Sequence, residues 1–165
     1  MAKNLEIKAV LLSILHGEEI AKRIGARRSG VLEQVDTYFS VPAGRLKLRE
    51  INRKQYELIS YTRPDGKRNR YSDYRIIQVR DLRNTKALLK ALFGVRCVVR
   101  KRRTLYLYQN ARIHLDVVRG LGVFLELEVV VRKGTVQAKR LMALLRKEFG
   151  ISSGSLIAGS YSDML

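Results

Sequence analysis

Apolar and polar residues alternate one by one along much of this chain. In "NLEIKAV", Leu5, Ile7 and Ala9 fall on one side of an extended backbone, and Asn4, Glu6 and Lys8 fall on the other. "RLKLRE" sets Leu46 and Leu48 against Arg45, Lys47 and Arg49. "RIHLDV" sets Ile113 and Leu115 against Arg112, His114 and Asp116. "VFLELEVVV" (123–131) sets Leu125, Leu127, Val129 and Val131 against Glu126 and Glu128. Period-two patterning with β-branched and aromatic enrichment predicts eight strands, over 3–11, 32–40, 45–50, 56–63, 71–79, 97–108, 112–118 and 123–131. Three segments switch to helical spacing and carry start and stop signals: Ser13 to Gly25, Asn84 to Gly94, and Thr135 to Gly150. Their apolar stripes, such as Leu88, Leu89, Leu92 and Phe93, are expected in the core. "SVPAG" reads as a hairpin turn, "RPDGKRN" as a longer loop, and the tail "GSLIAGSYSDML" as the place of a last short helix. Eight mostly antiparallel strands with few helices predict an α+β fold, built on an eight-stranded antiparallel β-barrel or a strongly curved sheet.

Length adds that one domain over 1–165 can bury a full core without staples. Cys97 is the single cysteine, so it has no partner for an internal disulfide. In "GVRCVVR" it reads as a small apolar strand residue, and a reducing compartment is expected. The N-terminus lacks a signal-peptide h-region, and no apolar run reaches the ~18 residues a membrane helix needs. The expectation is a cytoplasmic protein with no membrane partner.

Charge changes the picture more. Thirty-three Lys and Arg against 15 Asp and Glu give a net charge of +18. That balance favours polyanionic partners such as nucleic acid, polyphosphate or nucleotides, and is equally compatible with a solvated basic surface. The charged strand faces have two readings as well. They are the wet side of an open sheet, with cross-strand ion pairs. Alternatively the sheet closes, the helices cover the apolar faces, and the charges line the interior. Unpaired interior charge is costly, so the second reading calls for a polyanion and a metal ion to complete the lining. Clustered carboxylates suit Mg²⁺ or Mn²⁺, and clustered Arg and Lys suit phosphate oxygens. No P-loop or Gly-rich dinucleotide motif offers another way to hold phosphates. His114 shares a face with Asp116 and stands either as a substrate or metal contact or as a structural hydrogen-bond former. Asp36 reads as an inward residue that orients a basic side chain, with a direct metal contact as the alternative. "RKRR" (100–103) lies on a strand and therefore splits two and two between faces.

The ordered set of motifs resembles the CYTH, or triphosphate tunnel metalloenzyme, superfamily. "NLEIK" is similar to its E-x-E-x-K signature, and "QVDTYFSVPAGRLKLRE" to its second and third strands. "LISYTRPDGKRNRYSDYR" resembles the RPD…SDY segment. "VVRKRRTLYLYQNARIHLDVVRGLGVFLELEVV" follows the pattern of a K-x-R strand, an H-L-D strand, an L-G turn and an E-x-E strand, and "SYSDML" matches at the end. The nearest subgroup looks like the small proteins called class IV adenylate cyclases. The resemblance implies an eight-stranded tunnel, a divalent cation (Mg²⁺ or Mn²⁺) and a triphosphate-containing substrate. By motif position it implies Glu6, Asp116, Glu126 and Glu128 on the metal side. It implies Lys8, Lys47, Arg49, Arg75, Lys101 and Arg103 on the phosphates, with Lys8, Glu126 and Arg103 at the reacting centre. Arg63 is a further candidate. Asn4 stands where the motif has its first Glu, and Thr62 where many relatives carry a lysine. Three activities follow: hydrolysis of inorganic, nucleoside or thiamine triphosphate; adenylate cyclisation; or binding of polyphosphate or RNA without turnover. Monomer and homodimer stay open.

Overall fold

In the computed structural model, which describes residues 2–62, 70–132 and 134–165, the alternating segments close on themselves. The strands are β1 (Ala2–Val10), β2 (Arg27–Phe39), β3 (Arg45–Ile51), β4 (Gln55–Thr62), β5 (Arg70–Gln78), β6 (Val95–Tyr108), β7 (Ala111–Val118) and β8 (Gly122–Val130). They form a closed antiparallel barrel in the order β1-β5-β4-β3-β2-β6-β7-β8. β1 closes it by pairing β5 through residues 2–6 and β8 through residues 4–10. The sequence expectation of eight antiparallel strands therefore holds. β2 begins at Arg27, five positions before its expected start, because "RRSGV" pairs with the long β6 across a register shift near Gly30 although it carries little alternation. The β7–β8 hairpin turns at Gly120 and Gly122, whose φ values of 79° and 115° suit glycine. The expected loop "RPDGKRN" and Arg63 lie outside the described residues.

The barrel is inverted relative to an ordinary one: its apolar residues point outward and its charges inward. Leu5, Ile7, Ile113, Leu115, Leu125 and Leu127 are each 2% exposed or less, although they sit on the outer face. Helices α1 (Ile14–Arg23) and α3 (Thr135–Glu148) cover them, contributing Ile20, Ala21, Leu141, Met142 and Leu145. α1 starts at Ser13, whose side chain accepts from the His16 amide. Gly17 sits where α1 meets β7, and a Cβ there would lie 2.8 Å from Leu115 Cδ2 and 2.9 Å from Leu11 Cδ2. Gly17→Ala is expected to cost about 1–3 kcal/mol, since the two leucines must move within a packed layer. A denaturant midpoint unchanged from the parent would show that α1 is not seated as described.

Helix α2 (Leu82–Phe93) corrects two expectations. Its cap is Asp81, which accepts from the Asn84 amide, so the helix begins before Asn84. Of its apolar stripe only Leu89 is buried, in a cluster with Phe39 and Leu48. Leu88 and Leu92 are 60% and 65% exposed. Helical spacing alone could not tell which part of a wide stripe meets the barrel. The tail holds two short 3₁₀ turns, Ser153–Ser155 and Tyr161–Asp163. No helix among the described residues is long and apolar enough to cross a membrane.

Candidate active site in the barrel

Closure brings the polar strand faces together around a cavity of about 330 Å³. Its lining includes Glu6 and Lys8 from β1, Lys47 and Arg49 from β3, Lys101 and Arg103 from β6, Arg112 and His114 from β7, and Glu126 and Glu128 from β8. Arg100 and Arg102, the other half of "RKRR", are exposed on the outer face as expected. Arg75 differs from expectation. Its neighbours Tyr74 and Ile76 line the cavity, whereas Arg75 is exposed and does not. "YSDYRIIQ" has apolar residues on both sides of Arg75, so alternation could not assign its face.

The cations are concentrated on one wall. Asp36, fully buried, receives Arg49 through Nε and Nη2 at 2.7 Å each, Lys47 Nζ at 3.2 Å and Lys101 Nζ at 3.5 Å. One carboxylate thus gathers three cations, and their uncancelled charge faces the cavity. Burial alone would raise the Asp36 carboxyl, but Arg49, Lys47 and Lys101 hold it well below the usual carboxylate range. Burial and Arg49 push the Lys47 ammonium down to about 8, against the pull of Asp36. Burial and Arg103 push Lys101 down to about 7. A polyanion on this wall relieves that repulsion directly.

Asp116, which the resemblance implies on the metal side, is engaged by an arginine. It is 0% exposed, and its two oxygens accept from Arg103 Nε and Nη2 at 2.8 and 2.7 Å. The hydroxyl of Tyr161 donates to the same carboxylate at 2.8 Å. Asp116 therefore aims Arg103 into the cavity. Motif position placed it correctly on the inner face but could not show that an arginine takes both its oxygens.

Tyr161 is a residue that strand reasoning missed, because it comes from the tail. Where β5 stops pairing with β1, the tail takes over: Ile157 N donates to Lys8 O at 2.9 Å, and Leu156 bridges Ala9. The chain then turns Tyr161 into the barrel, with Lys8 Nζ 3.8 Å from its ring centroid. Asp163 fastens this turn, accepting from Arg45 and Arg96 at 2.9 and 3.1 Å. The presence of "SYSDML" in the motif set was the only sequence signal for this anchoring.

The opposite wall is acidic. Cross-strand register places Lys8 beside Glu126, and Glu6 beside Glu128, on β1 and β8. It places His114 beside Glu126 and Arg112 beside Glu128 on β7 and β8. Glu126 lies 3.4 Å from Lys8 Nζ and 3.7 Å from Arg103 Nη2. Burial opposes its ionisation, yet Lys8 and Arg103 hold its carboxyl well below the usual range. Arg112 grips Glu128 through Nε at 2.9 Å and Nη2 at 2.8 Å. Asn4, 2% exposed, accepts from Arg112 Nη2 at 3.0 Å in the amide orientation that satisfies both groups. The residue at the first motif position therefore supports an arginine. Glu126, Glu128 and His114 bring ligand atoms within 4.8 Å of one another. Two carboxylates and an imidazole fit a divalent cation.

Comparison with known proteins bears on the fold that carries this cavity. No curated protein matches the chain in sequence. Among solved structures, a Pyrococcus horikoshii protein superposes with a TM-score of 0.88 at 24% identity, covering 98% of this chain and 99% of that one. A candidate adenylate cyclase from Vibrio parahaemolyticus gives 0.79 at 20% identity, with 98% and 96% covered. A candidate adenylyl cyclase from Hippeastrum, described as having a dominant triphosphatase activity, gives 0.64 at 13% identity, with 92% and 89% covered. These likenesses concern the fold. The family model for the CYTH domain matches residues 2–161, and the chain belongs to the CYTH domain family.

Proposed function

We propose that this protein hydrolyses a triphosphate with the help of Mg²⁺ or Mn²⁺: inorganic triphosphate, a nucleoside triphosphate or thiamine triphosphate. The observation that carries the reading is the division of one cavity into an acidic wall (Glu6, Glu126, Glu128) and a cationic wall (Lys47, Arg49, Lys101, Arg103). Lys8 stands at their junction. Glu126, Glu128 and the acidic wall around them would hold the cation, which would supply charge neutralisation at the phosphates and activation of the attacking water. The chain's own groups do the rest. Arg49 and Arg103, each locked by two bonds to an aspartate, present fixed guanidinium edges to phosphate oxygens. Lys47 and Lys101 add charge that strengthens as the anion arrives. Positioning and electrostatics are the main demands of phosphoryl transfer. The triphosphatase activity named for the Hippeastrum relative supports the same reading.

Adenylate cyclisation is the second reading. The β4–β5 side of the cavity carries Ile59, Tyr61, Tyr74 and Ile76, an apolar surface against which a nucleobase can lie. The same grip would then present the α-phosphorus to the ribose 3′-hydroxyl, with pyrophosphate leaving. Incubation with Mg²⁺ or Mn²⁺ and either inorganic triphosphate or ATP, followed by product identification, separates the readings. Orthophosphate release is expected. Cyclic AMP with pyrophosphate would replace hydrolysis with cyclisation. No turnover, together with RNA binding that weakens steeply with salt, would overturn both in favour of a polyanion binder.

A further inference from the structure

We infer that His114 Nδ1 is itself a metal ligand, and that the cation site is a mixed nitrogen–oxygen one that prefers first-row transition cations such as Mn²⁺ or Co²⁺ to Mg²⁺. This rests on the proposal above that the tunnel works with a divalent cation.

His114 is 4% exposed, and its Nδ1 is buried without a hydrogen-bond partner. Leaving such an atom unsatisfied costs about 1–3 kcal/mol. The nearest polar atoms on the acidic wall are Glu126 Oε1 at 3.7 Å and Glu128 Oε1 at 4.0 Å, too long for hydrogen bonds. The two carboxylates are turned in the same sense. Glu126 gives its Oε2 to Lys8 and Arg103 and directs Oε1 to His114. Glu128 gives its Oε2 to Arg112 and directs Oε1 to His114. The surrounding cations thus hold one oxygen of each glutamate and leave the other facing the imidazole. Three electron-pair donors, Nδ1 and two carboxylate oxygens, converge within 4.8 Å. The 3.7 and 4.0 Å from Nδ1 to the two oxygens lie within the span of two metal–ligand bonds of about 2.0–2.2 Å each, and the wider 4.8 Å limit closes with a small side-chain movement.

Register keeps them there. His114 and Glu126 are direct cross-strand partners on β7 and β8, and Glu128 lies one inward step further along β8. The imidazole is therefore built into the barrel wall rather than carried on a loop. Its nitrogen changes selectivity. Mg²⁺ favours oxygen ligands, whereas imidazole suits later divalent cations, whose affinity for such sites rises along the first row. Asn4 supports the same end: it binds Arg112 and adds no fourth carboxylate beside Glu6, Glu126 and Glu128 to draw Mg²⁺.

The test uses the full chain with Mn²⁺ alone. Pulsed electron paramagnetic resonance is expected to show ¹⁴N modulation from a directly bound imidazole, and His114→Asn is expected to abolish it. Titration calorimetry should show Mn²⁺ affinity falling roughly 10–100-fold in that variant, with Mg²⁺ affinity changing much less. Should His114→Asn fold poorly, His114→Gln serves for the titration, and the nitrogen signal of the parent protein is decisive without any variant. Mn²⁺ bound with no ¹⁴N modulation would overturn the His114 assignment and leave the triphosphatase proposal standing. Equal losses of Mn²⁺ and Mg²⁺ affinity would overturn the selectivity. Failure of any divalent cation to bind, with or without triphosphate, would remove both proposals.

Discussion

Replacing Glu126 by Gln is expected to reduce metal-dependent triphosphate turnover by about 10³-fold, the equivalent of about 4 kcal/mol of lost transition-state stabilisation. The amide keeps the size of the side chain but removes its charge. Glu126 sits at the junction of the cavity's two halves, 3.4 Å from Lys8, 3.7 Å from Arg103 and 3.7 Å from His114. Losing that charge withdraws the acidic wall's hold on a cation and also frees Lys8 and Arg103 to shift toward the phosphates. Substrate binding should therefore weaken less than turnover, because the cluster around Asp36 is untouched. Circular dichroism of the variant should match the parent, since Glu126 faces the cavity and the apolar layer beneath the helices is unchanged. Full activity in a correctly folded Glu126→Gln protein would show that the acidic wall has been misassigned.

Asp36→Asn should have the largest effect on stability, a loss of about 3–5 kcal/mol, because it strips the shared counter-charge from buried cations. Arg49, Lys47 and Lys101 all turn to this carboxylate. The loss should depend on pH. The Asp36 carboxyl is depressed in the folded state, so its contribution is fully present above the ordinary carboxylate value of about 3.9 and disappears as pH falls through its depressed value. At the other end the sign is that of depressed bases. With Lys47 at about 8 and Lys101 at about 7, the unfolded chain binds more protons than the native one above neutrality, so stability rises with pH there. The deficit of the variant should be widest near pH 6 and narrow toward pH 9 as the amines shed protons. Inorganic triphosphate should raise the Tm of Asp36→Asn at pH 6 by mass action, supplying the missing negative charge. Urea midpoints of the two proteins that coincide at pH 6 would show that the three cations do not depend on Asp36.

Alternation was sufficient to read most of the barrel. Leu5, Ile7, Leu125 and Leu127 share a face with period two, and that face proved to be the one the helices cover. The same rule put Lys8, Lys47, Glu126 and Glu128 on the charged strand faces, and barrel closure turned those faces inward; Lys101 and Arg103, which join them there, were implied by the K-x-R spacing of the family resemblance. Alternation failed where the pattern is weak. "RRSGV" joined β2, Arg75 lay outward, and Leu88 and Leu92 of α2 stayed in solvent. Asp116 shows a different limit. Its face was legible, but its bonds to Arg103 and Tyr161 depend on residues 13 and 45 positions away.

By itself the sequence determined which side chains share a face, because that depends only on the two-residue repeat of an extended backbone. It also determined that these faces carry opposite charges in quantity. Only the closed barrel decided which charges meet. Pairing register set His114 beside Glu126, and the tail's path put Tyr161 on Asp116. Partner choice among ionic groups follows distances of a few ångströms across strands far apart in the chain, and no local pattern encodes those distances.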